Sequence, residues 1–245
     1  MERYCSAAGL VMNPDKSEVV VFRRSEAEQV ITAGGQPETQ KLKLLGVTVE
    51  ANYCFDDHVK TVAASMRNKV SNIARIAKYM STKKLIEVLE ALVLSTARYA
   101  IEVWGSSLKN QQKIQKAIND ALRLIYGAGE RDSITPLIAR ARWLNAANLW
   151  RLTACCTMRR LMNTRMAPET FGYIYRGLRH LHGTRYTNVT LDWVPVTSYA
   201  RNSFIFKAVE VYNALRLNST LFEDDEDFKS VVKAQLKQKY GNGNI

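Results

Sequence analysis

The chain has 245 residues, 47% hydrophobic and 24% charged, with a formal net charge of +12 and a pI of about 9.6. That balance is ordinary for a globular protein with one or two cores, and it excludes collagen-like and low-complexity classes. The excess positive charge favours a polyanionic partner, nucleic acid before an anionic membrane surface.

Glu2 and Arg3 stand at the start, and Ala7 to Met12 is too short for a signal-peptide core. The most apolar long window, Leu85 to Trp104, carries Glu87, Glu90, Arg98 and Glu102, so no transmembrane span is expected. The expected location is intracellular, nuclear and/or cytoplasmic, and not secreted. Cys5, Cys54, Cys155 and Cys156 form no CxxC pair, and the histidines are His58, His180 and His182 only. The cysteines are therefore expected to be reduced and structural, with no metal site.

In chain order, residues 1–57 read as β-rich. Asn13-Pro14-Asp15 signals a turn, since Pro fixes φ and Asn and Asp can bond nearby backbone. Lys16 follows, placed to lean over the sheet edge. Val19, Val20, Val21 and Phe22 lack alternation, which predicts a strand over Glu18 to Phe22 covered on both faces. A polar loop runs from Arg23 to about Lys41, with Val30-Ile31 a short strand and Ala33-Gly34-Gly35 a turn. Leu42 to Val49 reads as one further strand with Gly46 as a bulge.

Residues 58–164 read as a helical bundle. Asp56 or Asp57 caps a first helix whose buried stripe is Val59, Val62, Met66, Val70, Ile73 and Ala77. Ser81 or Thr82 caps a second, Lys83 to about Val103, with stripe Leu85, Leu89, Leu92, Val93 and Ala100. Gly105-Ser106-Ser107 breaks it. A third, Gln111 to Tyr126, buries Ile114, Ile118, Ala121, Leu122 and Ile125 and ends at Gly127. Thr135-Pro136 reads as an N-cap with Pro at the first helical position. The helical pattern then runs to about Thr164 with a break near Asn145.

Residues 165–197, punctuated by Pro168, Gly172, Gly177, Gly183 and Pro195, read as an irregular connector with short elements. Residues 198–245 read as helical. Phe204, Ala208, Val211, Tyr212 and Leu215 form one stripe, and Phe228, Val231, Val232 and Leu236 form another. Acids before Phe228 and Lys233, Lys237 and Lys239 after it suit the helix dipole. The fold class is thus α+β, mainly α: a small antiparallel β region, a helical bundle, then C-terminal helices.

Positive charge is densest between Ser133 and Lys207, where eleven Lys and Arg face two acids, Glu169 and Asp192. Arg140, Arg142, Arg151, Arg159, Arg160, Arg165, Arg176, Arg179, Arg185 and Arg201 suit bidentate phosphate contacts. Trp143, Trp150, Tyr173, Tyr175, Tyr186, Trp193 and Tyr199 lie among them, and aromatics among Arg suit single strands whose bases can stack. Arg67, Lys69, Arg75 and Lys78 lie mostly off the first helix's apolar stripe. The competing reading is a solvated basic face over core aromatics.

No complete active site is legible. Asp56-Asp57 is not an aromatic–x–Asp–Asp turn, because Cys54 stands where an aromatic is needed, and capping explains the pair. Glu223 to Asp227 has carboxylates without fixed geometry. GxxxxGK[ST], HExxH and GxSxG are missing from the sequence.

Gly9, Leu10, Asn13, Lys16, Ser17 and Phe22 match the pattern GL-x-x-N-x-x-K-[ST] followed by an apolar strand. In this the chain resembles the reverse transcriptases of non-LTR (LINE-type, jockey-like) retrotransposons, where that pattern is a late palm block. Lys43-Leu44-Leu45-Gly46-Val47 and Phe55-Asp56-Asp57-His58 resemble the family's next block. Trp104-Gly105, and the helix from Arg201 to Leu215 with Tyr212 where Trp is usual, resemble later ones. Ala214 and Arg216 around Leu215 depart from the usual Leu-Pro ending, and the family's frequent Cys/His knuckle is not matched.

The resemblance implies the end of a palm (1–57), a thumb (58–164), a connector and a C-terminal helical region. It implies a primer grip at Leu44, Leu45, Gly46 and Val47, and Lys16 near the incoming nucleotide as a possible general acid. RNA and RNA–DNA template–primer would be the partners. The family's Mg²⁺-binding aspartates would lie before Met1, so the chain by itself is expected to be inactive, with no cofactor of its own. Two other readings stay open: a stand-alone basic helical nucleic-acid-binding protein, and a protein-interaction module.

Overall fold

The computed structural model describes residues 2–11, 13, 18–22, 39–52, 54–164, 178–180, 189–191, 203–215 and 224–240. It is mainly helical with small antiparallel strand pairs, an α+β fold, mainly α. The chain divides into two compact units, residues 1–58 and 59–245.

The first unit opens with a short helix, α1 (Glu2–Ala7), in the segment expected to be β-rich. Gly9 stops it: with φ at 68° it lets Gly9 N bond Ser6 O and Leu10 N bond Cys5 O, the paired bonds of a Schellman cap. Glu18 to Phe22 is not the covered strand expected. Val19 forms an isolated bridge, Thr39 N donates to Val19 O at 2.8 Å, and Phe22 is exposed. Among the described residues no strand longer than that bridge runs through it. Lys16 and the loop from Arg23 to Glu38 lie outside the described residues.

The expected strand Leu42 to Val49 is instead a hairpin, β1 (Lys41–Leu44) and β2 (Val47–Glu50), with Leu44 opposite Val47. Leu45 and Gly46 both have positive φ, 47° and 85°, as a two-residue type I′ turn demands. Gly46 is thus a turn residue, not a bulge. Leu is a costly choice at positive φ, by roughly 1–2 kcal/mol.

Helix α2 (Asp56–Ala74) starts directly after the hairpin. Asp56 and Asp57, expected to cap it, both lie in its first turn. Glu50 Oε1 accepts from Asp57 N at 2.8 Å, so the end of β2 satisfies a helix donor, and Asp57 pairs with Lys41 of β1. His58 is buried beneath, its Nδ1 accepting from Thr48 N at 3.3 Å.

Burial holds the His58 pKa below its ordinary value of 6.5, and the Thr48 bond also needs Nδ1 bare. Below the unfolded pKa the unfolded chain binds the proton more readily. The neutral imidazole's contribution is therefore full above about pH 6.5 and is lost as pH falls toward the lower folded value. The expected result is a melting temperature that drops more between about pH 7.5 and about pH 5.5 in the wild type than in His58→Gln. Equal drops would show that another group titrates.

In the second unit Val59, Val62, Met66, Val70 and Ile73 of α2 are buried as the periodicity predicts, while Ala77 leaves the helix for a 3₁₀ turn, Ala77–Tyr79. Ser81 is the cap of α3 (Thr82–Leu89), accepting from Lys84 N. The expected long second helix is interrupted. A π-helical turn, Glu90–Leu94, precedes α4 (Ser95–Arg98), and Ala100 at φ 50° separates α5 (Ile101–Trp104). The extra residue of a π turn rotates the next helical turn about the axis. Burial thus passes from Leu85 and Leu89 to Val93, Leu94 and Ala97, while Leu92 turns outward.

Helix α6 (Leu108–Tyr126) buries the five apolar residues foreseen and ends at left-handed Gly127. Helix α7 (Ile134–Arg140) has Ser133, not Thr135, at its N-cap position, with no side-chain cap bond, so Pro136 is third in the helix; its missing N–H is among those with no intrahelical partner anyway. After the break around Asn145, α8 (Ala146–Thr164) runs as expected, with Asn145 Oδ1 accepting from Asn148 N at 2.8 Å. Helices α5, α6, α9 (Phe204–Ala214) and α10 (Asp225–Tyr240) all pack on α8. Its buried residues include Leu149, Trp150, Ala154, Cys155 and Met158, and each large apolar side chain so buried contributes about 1.5–3 kcal/mol. Within the connector, β3 (Leu178–His180) pairs antiparallel with β4 (Val189–Leu191). No helix of the described residues is long and apolar enough to cross a membrane.

Candidate nucleic-acid interface

The ten cations singled out in the sequence meet different fates. Arg159 is drawn inward: its side chain is 5% exposed, its Nε lies 3.0 Å from Asp225 Oδ1, and its guanidinium sits 4.8 Å from the Phe228 ring centre. It joins α8 to α10, which corrects its reading as a phosphate contact. Lys69 is corrected too. Its Nζ donates to Leu92 O at 3.2 Å and Thr96 Oγ1 at 2.6 Å, serving a carbonyl at the π turn. Thr96 Oγ1 donates to the same carbonyl at 2.9 Å.

Arg151 is half-buried and bonds Asn148 Oδ1 at 2.8 Å. Arg75, Lys78, Arg140, Arg142 and Arg160 are exposed, and Arg67 stands 3.6 Å from Asp120. Arg201, Arg165, Arg176 and Arg185 lie outside the described residues, as do Tyr173, Tyr175, Tyr186, Trp193 and Tyr199. Trp143 and Trp150 are core residues, 2% and 4% exposed, and offer no face to a base. Lys207 reaches Ser106 O at 3.4 Å, and burial lowers its pKa.

What the structure does bring together is a ridge on α6. Opposite its buried stripe lie Lys109, Lys113, Lys116, Asp120 and Arg123, four cations and one acid. Arg67 of α2 approaches that one acid, and Arg123 Nη1 approaches it at 3.8 Å. Arg123 also donates to Gly129 O and Glu130 O, so two of its donors serve the loop. One turn beyond it, Tyr126 carries Arg140 of α7 at 4.9 Å from its ring centre. From Lys109 to Arg123 the ridge covers about 21 Å at 1.5 Å per residue. Charge density along the sequence pointed past these four α6 cations. Their spacing opposite Ile114, Ile118 and Leu122 was the available signal.

In the first unit, the proposed grip residues form the hairpin tip. Leu44 and Leu45 are 56% and 83% exposed, Gly46 is exposed and Val47 is buried. An apolar pair held out on a strained turn suits contact with a flat or apolar partner surface.

Burial pushes the Cys155 and Cys156 thiols up, which keeps them protonated and unreactive. Among the described residues no three His, Cys, Asp or Glu side chains gather as a metal site. Asp57 is engaged by Lys41, and Glu50 by Asp57 N and Cys54 Sγ, so the residues nearest the hairpin do not fit a Mg²⁺ site.

No family model, no curated protein and no solved structure matches this chain.

Proposed function

We propose that these residues form the C-terminal part of a non-LTR retrotransposon reverse transcriptase: the end of the palm, the thumb and the C-terminal helices. In this reading the chain binds RNA and RNA–DNA template–primer and contributes positioning, while phosphoryl transfer needs aspartates that its matched blocks do not include. The carrying observation is the exposed Leu44-Leu45-Gly46 tip, followed in the sequence by a helical unit. A primer grip needs backbone and apolar atoms presented to a primer's 3′ end, and that tip supplies them. The basic α6 ridge supports the reading by offering charge for the nucleic-acid backbone. Lys16 enters it only through the motif.

The test is photocrosslinking of the chain to an RNA template annealed to a DNA primer whose 3′-terminal base carries the reactive group. Adducts on residues 44–47 are the expected result. Efficient adducts elsewhere, with none on the hairpin, would instead favour a stand-alone basic nucleic-acid-binding protein.

A further inference from the structure

The link between α2 and α3 exposes an aromatic that the fold does not use. Its 3₁₀ turn, Ala77–Tyr79, buries no residue, and Tyr79 is 78% exposed beside exposed Ile76. The turn is nonetheless fixed. Ile76 N bonds Ile73 O, Tyr79 N bonds Ile76 O, and Met80 N bonds Ala77 O, each at 3.0 Å. Lys78 Nζ stands 4.9 Å from the Tyr79 ring centre.

The electrostatic setting is one-sided. From His58 to Ile86 there are seven Lys and Arg and no acid. Lys69 turns to the π segment and Arg67 to Asp120; of the other five, Arg75, Lys78, Lys83 and Lys84 are exposed and stand within five residues of Tyr79 in the chain, and Lys60 stands near the start of α2. The first acid beyond, Glu87, lies 3.4 Å from Lys84. A fixed, exposed aromatic among cations suits a partner with planar faces and regularly spaced negative charge. In a duplex those faces are already stacked, so the fit is to an unpaired strand. An interfacial membrane helix would need a long apolar face, and this turn has three residues.

We propose that Tyr79 is a stacking platform for an unpaired base of single-stranded RNA or DNA, with Arg75, Lys78, Lys83 and Lys84 on the flanking phosphates. The proposal rests on the nucleic-acid reading above and deepens it, because it assigns the unpaired strand to a particular surface.

The experiment measures fluorescence anisotropy of labelled oligouridylate and of a blunt RNA–DNA duplex with the full chain. Tyr79→Ala should weaken single-strand binding by roughly five- to a hundred-fold, the range of one base–aromatic stack. Tyr79→Phe should stay within about twofold of wild type, since the ring face is kept, and duplex binding should not change. Lys83→Ala with Lys84→Ala should flatten the single-strand salt dependence by about 0.7 per lysine. Unchanged single-strand binding by Tyr79→Ala would overturn the platform alone. So would equal losses on both nucleic acids, or a Tyr79 dependence seen only with phosphatidylserine vesicles. A wild type that binds neither nucleic acid would overturn the platform together with the reading beneath it.

Discussion

Binding of the chain to an RNA–DNA duplex should fall roughly 150-fold between about 50 and about 200 mM salt. The figure comes from the α6 ridge. Lys109, Lys113, Lys116 and Arg140 present four cations; Arg67 is left out because it stands at Asp120, and Arg123 because its donors serve Gly129 O and Glu130 O. Each phosphate neutralised releases condensed counterions, so the log–log slope is about −0.9 per contact, or roughly −3.6 for four. Lys113→Ala with Lys116→Ala should then weaken binding and flatten the slope by roughly two. Lys229→Ala supplies the control. It removes a positive charge from α10, a helix that contributes no residue to the ridge, and should leave the slope unchanged. If all three substitutions flattened the slope equally per charge, net charge rather than placement would govern binding, and the ridge would lose its standing as the interface.

The same ridge shows why charge is harder to read from sequence than burial is. The apolar stripes of α2 and α6 were legible because a 3.6-residue period must face a core, and Val59, Met66, Ile114 and Ile118 are buried as the period requires. Local punctuation was legible where a side chain acts on its own helix, as at Ser81 and Gly127. Arg159 was not. It lies on α8 next to buried Met158, and the acid that holds it comes from α10, far along the chain. Lys69 likewise serves a carbonyl at a π turn that no local signal announced. The hairpin was missed because Leu-Gly is not the Asn-Gly or Asp-Gly pair that marks a type I′ turn. Its tip therefore read as the middle of one strand. Cap and stripe are short-range properties; the fate of a long cation depends on what tertiary packing places beside it.

The largest stability loss is expected at Gly105, where two rules of thumb give opposite signs. Gly105 ends α5 with φ at −84°, a conformation open to any residue. On backbone entropy alone Gly105→Ala would stabilise by about 0.4–1 kcal/mol. Space decides otherwise. A Cβ there would lie 2.5 Å from Ile101 O, 2.6 Å from Ile101 Cγ1 and 2.9 Å from Trp150 Cδ1. The carbonyl is already bonded to Gly105 N at 2.7 Å, and Trp150 is buried on the central helix, so neither can simply swing away. Overpacking of this kind costs about 1–3 kcal/mol or somewhat more. We expect Gly105→Ala to lose about 3 kcal/mol, seen as a melting temperature roughly 6–12 °C lower for a chain of this size. Gly127→Ala makes the comparison informative. No atom lies within 4 Å of the added carbon there, but φ is 63°, so its cost is the left-handed backbone penalty alone, about 1–2 kcal/mol. Gly105→Ser should be at least as damaging as Gly105→Ala, whereas Gly127→Asn should recover much of the loss at Gly127. A Gly105→Ala protein as stable as wild type would mean that α5 and α8 pack less closely than these distances require. The Trp104-Gly105 pair would then need an explanation other than close helix approach.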